Sequence, residues 1–245
     1  MQMILNYLLT PFYYIAFGLT LAIFHPIQML ALHFGNSETH TNSVIMLNRL
    51  LVLSMRIMGV KMTFNGLDNL PVDRPLIVVS NHQSLFDIQA FVHAFRRFHP
   101  KFVAKIELAH GIPSISYNLR HGGSALIDRN NGSQSIREII QLGRLIEAKK
   151  YAVCIYAEGT RNPSGMVQKF QSAGVKTLLK AAPSALVVPF VIDGHDRLMK
   201  KGYFPLQFGT KLTYTALQPI EPQERNAESL VEECEQLIKL HLGQA

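Results

Sequence analysis

The sequence predicts an α/β fold, a layered domain whose mostly parallel or mixed central sheet is flanked by helices, behind an N-terminal apolar helical anchor. Three observations lead to this prediction. From Val60 onward, short β-rich runs alternate with helical patterns. The runs Leu76–Val79 and Ala185–Val188 are apolar throughout, as expected for parallel strands that are buried on both faces. Residues 1–37 contain no Asp, Glu, Lys or Arg, so the formal net charge of +7 belongs to the rest of the chain.

The composition fits one basic domain that follows an uncharged apolar segment. A chain of 245 residues is long enough for a single domain with a full hydrophobic core, and 48% of its residues are hydrophobic. A basic body behind an uncharged apolar segment favours contact with an anionic membrane surface or with anionic substrates. We expect no nucleic-acid partner, because no run of Lys or Arg exceeds two residues and the sequence has no nucleic-acid-binding motif.

The cysteines and histidines match no metal or disulfide pattern. Cys154 and Cys234 are far apart in the chain and fit no zinc or disulfide spacing, which favours a body that faces the reducing cytosol. The ten histidines include no His-Glu-x-x-His pair or similar ligand spacing. We therefore expect neither a metal nor a cofactor.

The apolar leader runs from Met1 to about Phe34, and we expect it to be retained because it lacks the basic region and the cleavage site of a signal peptide. Pro26 is expected to break a helix near His25, which leaves a stretch shorter than the ~20 residues that span a bilayer. A helix that also includes the residues before Pro11 would be long enough to span a bilayer, since membrane helices tolerate proline. A single span, an embedded helical hairpin and a buried core helix of a soluble protein all remain open.

A second helix over residues 42–58 completes the predicted anchor, residues 1–58, and the α/β domain follows over residues 59–245. Three polar residues recur every seven positions beside a wide apolar surface and form a narrow stripe: Asn42, Arg49 and Arg56. Such a helix lies in the membrane interface with its arginines at the headgroups, or it packs against the leader. Gly59 is expected to end it.

The elements of the α/β domain follow from local sequence patterns. Strands are predicted near seven segments: 60–65, 76–80, 101–104, 123–127, 152–156, 185–192 and 210–216. Helices are predicted over four segments: 85–96, 133–149, 172–181 and 226–241. Because ligands of open α/β sheets bind where the strands end, polar clusters at those points are the candidate sites.

The first polar cluster, residues 81–87, directly follows the buried strand 76–80. His82 and Asp87 suit acid–base chemistry if the carboxylate binds one imidazole nitrogen and leaves the other free to take a proton. Five residues along a regular helix would separate the two side chains, so the pairing requires His82 in the turn and Asp87 in the first helical turn. Ser84 and Asp87 also fit a capping box, so a purely structural role at the start of the helix is the alternative.

The segment Gly122–Arg129 is an apolar strand that ends in an adjacent acid and base. On these residues alone, an ordinary strand followed by a solvated charge pair is favoured. The strand Val187–Phe190 contains Pro189, which favours an edge strand or a bulge because proline cannot donate to a ladder.

Another polar cluster, residues 156–162, follows the apolar strand that ends near Ile155. Gly159 permits close approach of the backbone to a ligand, and the guanidinium of Arg161 suits phosphate. Thr160 adds a hydroxyl, and Glu158 is placed to orient Arg161 or to accept from a substrate hydroxyl. A simple turn is the structural alternative.

In this order and at these spacings, the clusters resemble the four motifs of the glycerolipid acyltransferase family. The resemblance covers about residues 76–192, and its most specific parts are the His-x-x-x-x-Asp motif at His82 and the Glu-Gly-Thr-Arg motif at Glu158. The segment Phe102–Leu108 and the apolar N-terminal anchor also resemble this family. Two uncharged positions depart from the usual motifs: Tyr156-Ala157 in place of Phe-Pro, and Leu126 in place of Phe.

The resemblance implies transfer of a fatty acyl group from acyl-CoA or acyl-carrier protein to a lysophospholipid, with lysophosphatidic acid as the expected acceptor. His82 would be the general base that removes the proton of the acceptor hydroxyl, and Asp87 would hold the tautomer of His82. The alkoxide would attack the thioester directly, without an acyl-enzyme. The substrate-binding residues would be Glu158, Gly159, Thr160 and Arg161 at the glycerol-phosphate end, with Arg129 and Lys105 as further candidates for binding a phosphate.

Rival functions stay open at this point. The acceptor could be another lysophospholipid, a lyso-ornithine lipid or glycerol 3-phosphate. A lipid-binding protein without activity would have no need of the His82 and Asp87 pair, and a phosphate-ester hydrolase would need a metal cluster or a nucleophile that the sequence does not show. Membrane lipids, the acceptor and the acyl donor are the expected partners. The expected location is the membrane, on the cytoplasmic face of the bacterial inner membrane.

Overall fold

A seven-stranded mixed sheet forms the centre of the molecule, which the computed structural model describes over residues 2–222 and 225–244. The strands of this sheet lie in the order β1-β8-β6-β2-β5-β3-β4. The described strands are β1 (Lys61–Asn65), β2 (Leu76–Ser80), β3 (Lys101–Lys105), β4 (Ala125–Ile127), β5 (Ala152–Tyr156), β6 (Leu186–Asp193), β7 (Lys200–Tyr203) and β8 (Lys211–Ala216).

Five adjacent strands of the sheet, from β6 to β4, run parallel to one another. Strand β8 is antiparallel to β6, and β1 is parallel to β8. The carboxyl ends of the five parallel strands therefore lie along one edge, which is where the predicted polar clusters meet. The mostly parallel or mixed sheet and all seven of its strands confirm the predicted fold class, whereas the short strand β7 was not predicted.

Helices cover both faces of the sheet. Their bounds are α1 (Gln2–Leu30), α2 (Ser37–Ser54), α3 (Asp87–Ala94), α4 (Ile115–His121), α5 (Gly132–Lys149), α6 (Ala173–Ala181), α7 (His195–Leu198) and α8 (Ala227–His241). Alternate residues of β2 point to opposite faces, so Ile77 and Val79 pack with α5, α6 and α8, while Leu76 and Val78 pack with α3. The predicted helix 85–96 is shorter than expected, and α4 and α7 were not predicted.

Helix α1 is longer than the sequence suggests, because it continues through Pro26 and then forms one π-helical turn, Ala31–Gly35. The expected break near His25 is therefore wrong. Leu21 and Phe24 pack with residues of α2 before the proline, and Gln28 is fully buried after it. These tertiary contacts hold the segment helical where local preference alone would interrupt it.

Helix α2 carries Asn42 and Arg49 of the predicted polar stripe, Arg56 lies just beyond its end, and all three residues are exposed. It ends in a 3₁₀ turn, Met55–Met58, and Gly59 then takes a left-handed conformation at φ 61°, as expected. Tyr13 of α1 and Met55 and Met58 of this turn lie in the same hydrophobic cluster as residues of the sheet. The division of the chain at residue 58 stays a prediction.

Pro189 lies in β6, which is an interior strand of the sheet, so the edge alternative is wrong. The bulge alternative is confirmed by the pairing register. Val187 pairs with Ile220 and Phe190 pairs with Ala216, so three steps along β6 match four steps along its partner. The missing N–H of proline therefore falls where the ladder is already interrupted.

Candidate active site

The turn between β2 and α3 brings His82 and Asp87 together. Asp87 is the first residue of α3, and its Oδ2 lies 2.8 Å from Nδ1 of His82. The same oxygen accepts the backbone N–H groups of Gln83 at 2.7 Å and Ser84 at 2.9 Å. The structural role and the pairing with His82 are therefore both present, since one carboxylate accepts the N–H groups of the turn and also contacts the imidazole.

The electrostatics of the pair suit a base. Burial would raise the pKa of the Asp87 carboxyl, but the neighbouring histidines and the backbone donor outweigh it and hold the pKa below its ordinary value. An ionised Asp87 favours the proton on Nδ1 of His82, which leaves Nε2 as the basic nitrogen. Within the described part of the chain no group hydrogen-bonds to this Nε2, and 14% of the His82 side chain is exposed.

Tyr156, the last residue of β5, forms one wall of the His82 site. Its ring stacks on the imidazole with centroids 3.9 Å apart and planes 11° apart. An aromatic face stabilises a positive charge placed above it, so this contact favours the imidazolium that forms when His82 takes a proton. Tyr156 lies within a motif of the sequence, but its stacking on His82 was not predicted.

The turn that carries His82 is fixed to β6. The side chain of Asn81 donates to the carbonyl of Ile192 at 2.8 Å and accepts the N–H of Ile192 at 2.9 Å. The side-chain oxygen of Gln83 accepts the N–H of His195 at 3.0 Å. The polar residues on both sides of His82 thus join the ends of two neighbouring parallel strands.

Glu158 supports the same turn from β5. Its Oε1 accepts the backbone N–H of His82 at 3.0 Å, and the N–H of Asn162 donates to the carbonyl of His82 at 2.7 Å. The carboxyl is buried, and burial raises the pKa of Glu158 to about 7 even though the His82 N–H opposes this. The structure places Glu158 against the His82 backbone, and contact with an acceptor stays a prediction.

Gly159 and Arg161 lie in the loop after Glu158. Gly159 has φ 73°, and its N–H closes a tight turn onto the carbonyl of Tyr156 at 3.0 Å, a conformation that favours glycine. Thr160 and Arg161 are exposed. The Nη1 of Arg161 lies 3.3 Å from the hydroxyl of Tyr203, so most N–H donors of the guanidinium are available to a ligand.

Lys105 and Arg129 stand farther along the same edge. Lys105 ends β3 and pairs with Ile127 of β4, and Arg129 is exposed just beyond β4. Neighbouring strands lie about 4.8 Å apart, so these positions are about 10 and 14 Å from the end of β2. The structure therefore does not bring them into contact with His82, but it places both on the edge that His82 and Arg161 share.

Sequence reasoning missed the buried residues behind this pair. His195 begins α7, directly after β6, and Tyr214 lies in β8. The signal for His195 was present, because it is a polar residue at the end of an apolar parallel strand, as His82 and Glu158 are. Over residues 2–222 and 225–244, no three His, Cys, Asp or Glu side chains form a group that could hold a metal ion.

Comparisons with known proteins show the family and the fold of the chain. A family model described as Acyltransferase matches residues 61–193, which is more than half of the chain. The structure is similar to the crystal structure of the 1-acyl-sn-glycerophosphate (LPA) acyltransferase, PlsC, from Thermotoga maritima, with a TM-score of 0.78 and 24% identity. That match covers 100% of this chain and 97% of the other, and it shows a shared fold.

Curated relatives carry the name 1-acyl-sn-glycerol-3-phosphate acyltransferase. The relative from Chlamydomonas reinhardtii is 28% identical over 73% of this chain, and the probable enzyme of this name from Mycoplasma pneumoniae is 28% identical over 71%. This chain spans 52% and 67% of those two proteins, and 38% of the chloroplastic relative from Arabidopsis thaliana. The extent of the family match, together with the paired His82 and Asp87 within it, shows that the chain belongs to the acyltransferase family.

Proposed function

We propose that this protein transfers a fatty acyl group from a thioester donor to the sn-2 hydroxyl of lysophosphatidic acid and so forms phosphatidic acid. The observation that carries the proposal is the buried Asp87 carboxylate bound to Nδ1 of His82, which leaves an open Nε2 at the sheet edge. The names of the curated relatives and of the similar solved structure support the same reaction.

The proposed mechanism has one base and no acyl-enzyme. The Nε2 atom of His82 takes the proton of the acceptor hydroxyl as the alkoxide attacks the thioester carbonyl. The resulting imidazolium is stabilised by Asp87 at Nδ1 and by the face of Tyr156. When the tetrahedral intermediate collapses, the carbon–sulfur bond breaks and the thiolate recovers the proton from His82.

The proposed acceptor carries a phosphate, for which Arg161 is the main contact. Its guanidinium is exposed beside the His82 turn, and a guanidinium binds a phosphate through two parallel hydrogen bonds. Lys105 and Arg129 extend the positive edge by two more strands, which suits a second anionic group such as the phosphates of coenzyme A or an acidic carrier protein. We assign the acceptor phosphate to Arg161 and the donor to this farther part of the edge.

The membrane is the proposed source of the acceptor. The segment Gln2–Gly35 is long and apolar enough to cross a bilayer, and it is mostly exposed. However, α1 is tied to the rest of the protein at several points along its length, through Asn6 to Gln207, Tyr14 to Tyr203 and Leu21 to Ser114. We therefore propose that α1 lies along the domain, with its outward apolar face in one leaflet.

The cytoplasmic face of the bacterial inner membrane is the proposed location. Acyl-CoA and acyl-carrier protein are soluble donors of the cytoplasm, so the edge that carries His82 must open to that side. Cys154 and Cys234 are both free and buried, which suits a reducing compartment.

The reaction is tested with detergent-solubilised protein, oleoyl-CoA and lysophosphatidic acid, by following thiol release and phosphatidic acid formation. We expect the wild type to form phosphatidic acid and His82→Ala to lose about 100-fold or more of its kcat. His241→Ala, which removes an exposed histidine at the end of α8, is the matched control and should keep full activity. Unchanged activity in His82→Ala would contradict the mechanism.

The acceptor is tested separately with a panel that includes monoacylglycerol, which has no phosphate. We expect Arg161→Ala to raise the KM for lysophosphatidic acid and to leave the KM for monoacylglycerol unchanged. Arg137→Ala, which removes an exposed arginine from α5, should change neither. If the wild type acylates only another lysolipid, the reaction class stands and lysophosphatidic acid is the wrong acceptor.

A further inference from the structure

Behind the His82–Asp87 pair, three buried side chains continue the hydrogen-bonded chain into the protein. The Ser84 hydroxyl lies 3.0 Å from Oδ1 of Asp87 and 2.9 Å from Nδ1 of His195. The Nε2 atom of His195 lies 2.7 Å from the hydroxyl of Tyr214. All three residues are fully buried, so the chain of contacts is closed to solvent.

One arrangement of protons satisfies every group in this chain. The Ser84 oxygen accepts the N–H of Phe86 at 3.0 Å, and its own proton points at the Asp87 carboxylate. His195 must then donate from Nδ1 to Ser84, and Nε2 must accept the proton of Tyr214. In the reverse arrangement the Ser84 hydroxyl would donate its proton to Nδ1 of His195, and no proton would lie between the Ser84 oxygen and the carboxylate oxygen 3.0 Å away, which is repulsive.

Burial lowers the pKa of His195, although Asp87 opposes this, and so it agrees with a neutral ring of this tautomer. The Nε2 atom of His195 also lies 3.3 Å from Oδ1 of Asp87, but its hydrogen-bonding direction is toward Tyr214. Tyr214 therefore donates to His195, His195 donates to Ser84, and Ser84 donates to Asp87.

We infer that His195 is a positioning residue for the acyl transfer, acting through Ser84 and Asp87 on His82, with Tyr214 fixing its tautomer. The inference rests on the proposed function. Asp87 has two oxygens, and only Oδ2 contacts His82. The Ser84 hydroxyl binds Oδ1 and so adds to the two backbone N–H groups that already keep Oδ2 on Nδ1 of His82. A carboxylate that already accepts several donors also has a lower proton affinity, so the proton stays on His82 during the reaction.

The test compares two substitutions of His195. His195→Leu removes both ring nitrogens at a similar size, whereas His195→Asn keeps a donor close to the position of Nδ1. We expect His195→Leu to lower kcat about 10- to 100-fold, by analogy with the loss when partners that orient metal-bound histidines are removed, with the KM for lysophosphatidic acid unchanged. His195→Asn should recover much of the kcat. His93→Leu, which removes a half-buried histidine from α3, is the matched control and should keep the wild-type kcat.

A second comparison separates a positioning role from a structural one. If His195 acts through His82, the double variant His82→Ala/His195→Leu should be as slow as His82→Ala alone. A further loss of activity in the double variant would mean that His195 merely supports the fold. That result would overturn the inference.

The remaining outcomes are distinguishable. A wild type that is inactive with every acceptor contradicts the proposed function itself. An active wild type with an inactive His82→Ala and a folded, fully active His195→Leu contradicts only the inference about His195. If His195→Leu does not fold, as judged by circular dichroism and urea denaturation, Ser84→Ala and Tyr214→Phe decide, because both change a single hydroxyl. Unchanged kcat in both would overturn the inference.

Discussion

Oδ2 of Asp87 lies 2.8 Å from Nδ1 of His82, and the same oxygen closes the turn before α3 by accepting two backbone N–H groups. One atom therefore has both a structural and a chemical task. A substitution that keeps an oxygen in this place separates the two tasks, because the turn needs only an acceptor whereas the imidazolium needs a negative charge.

Asp87→Asn is that substitution. Its amide oxygen can take the place of Oδ2, so the turn and the tautomer of His82 persist, but the charge that stabilises the imidazolium is lost. We expect kcat to fall by about 100-fold or more. The urea midpoint should fall less than in Asp87→Ala, because the amide keeps the acceptor of the turn but puts a donor where Oδ1 accepts the Ser84 hydroxyl. Asp87→Ala should lower both quantities, because the two backbone donors lose their acceptor. Asp68→Asn, an exposed position, is the control, and wild-type kcat in a folded Asp87→Asn would refute the role of the charge.

The parts of the site that the sequence predicts are local. His82 and Asp87 are five positions apart, so the prediction needed only a strand, a turn and a helix start in the right order. Arg129 follows β4 on the edge that carries His82, as its position in a polar cluster at a strand end predicts, whereas Lys105 was expected only from the family resemblance.

The buried hydrogen-bonded chain of Ser84, His195 and Tyr214 could not be predicted in this way. Ser84 and His195 are 111 residues apart, and their contact depends on which strand lies beside β2. Tyr214 contacts His195 because the register between β8 and β6 places Tyr214 opposite Ile192, three residues before His195. Neither the strand order nor this register is encoded in a local pattern. The path of α1 was misjudged for a related reason, since tertiary packing holds it helical through Pro26.

The outward face of α1 should control membrane binding. Ile15 and Leu19 are 58% and 56% exposed on this face. An acidic side chain is unfavourable in the hydrocarbon region, by roughly 2.5–3.5 kcal/mol for aspartate at the bilayer centre and by less nearer the surface. Ile15→Glu/Leu19→Glu places two such side chains on this face and should therefore weaken binding at least about tenfold. Flotation with phosphatidylglycerol-containing vesicles measures this. Ile136→Glu makes the same change on α5, on the opposite side of the sheet, and should float like the wild type.

The close contact of α5 with α6 depends on Gly143. A Cβ atom at this position would lie 2.5 Å from the Cβ of Ala181, which is fixed to the backbone of α6. Overpacking of this kind costs about 1–3 kcal/mol, more than the ~0.5–1 kcal/mol that alanine gains over glycine in a helix. We therefore expect Gly143→Ala to lower the free energy of unfolding in urea.

Gly132 lies in the same helix as Gly143 and provides the control for this prediction. A Cβ atom added at Gly132 would meet no neighbouring atom within 4 Å. Gly132→Ala should leave stability unchanged or slightly higher. Adding Ala181→Gly to Gly143→Ala should restore most of the lost stability, since it removes the other half of the clash. If Gly143→Ala is as stable as Gly132→Ala, the prediction is contradicted, because α5 and α6 would then move apart without any loss in the free energy of unfolding.

The buried carboxyl of Glu158 should make stability fall as pH rises toward neutrality. Burial raises its pKa from 4.5 to about 7, so between these values the folded protein binds more protons at this site than the unfolded chain does. The contribution to stability is therefore complete below pH 4.5 and is lost as pH rises through 7. Glu158→Gln cannot ionise but still accepts the N–H of His82, so its urea midpoint should decline less than that of the wild type between pH 5 and pH 8. Glu232→Gln, an exposed position on α8, should follow the wild type, and equal declines in all three proteins would show that Glu158 ionises freely in the folded state.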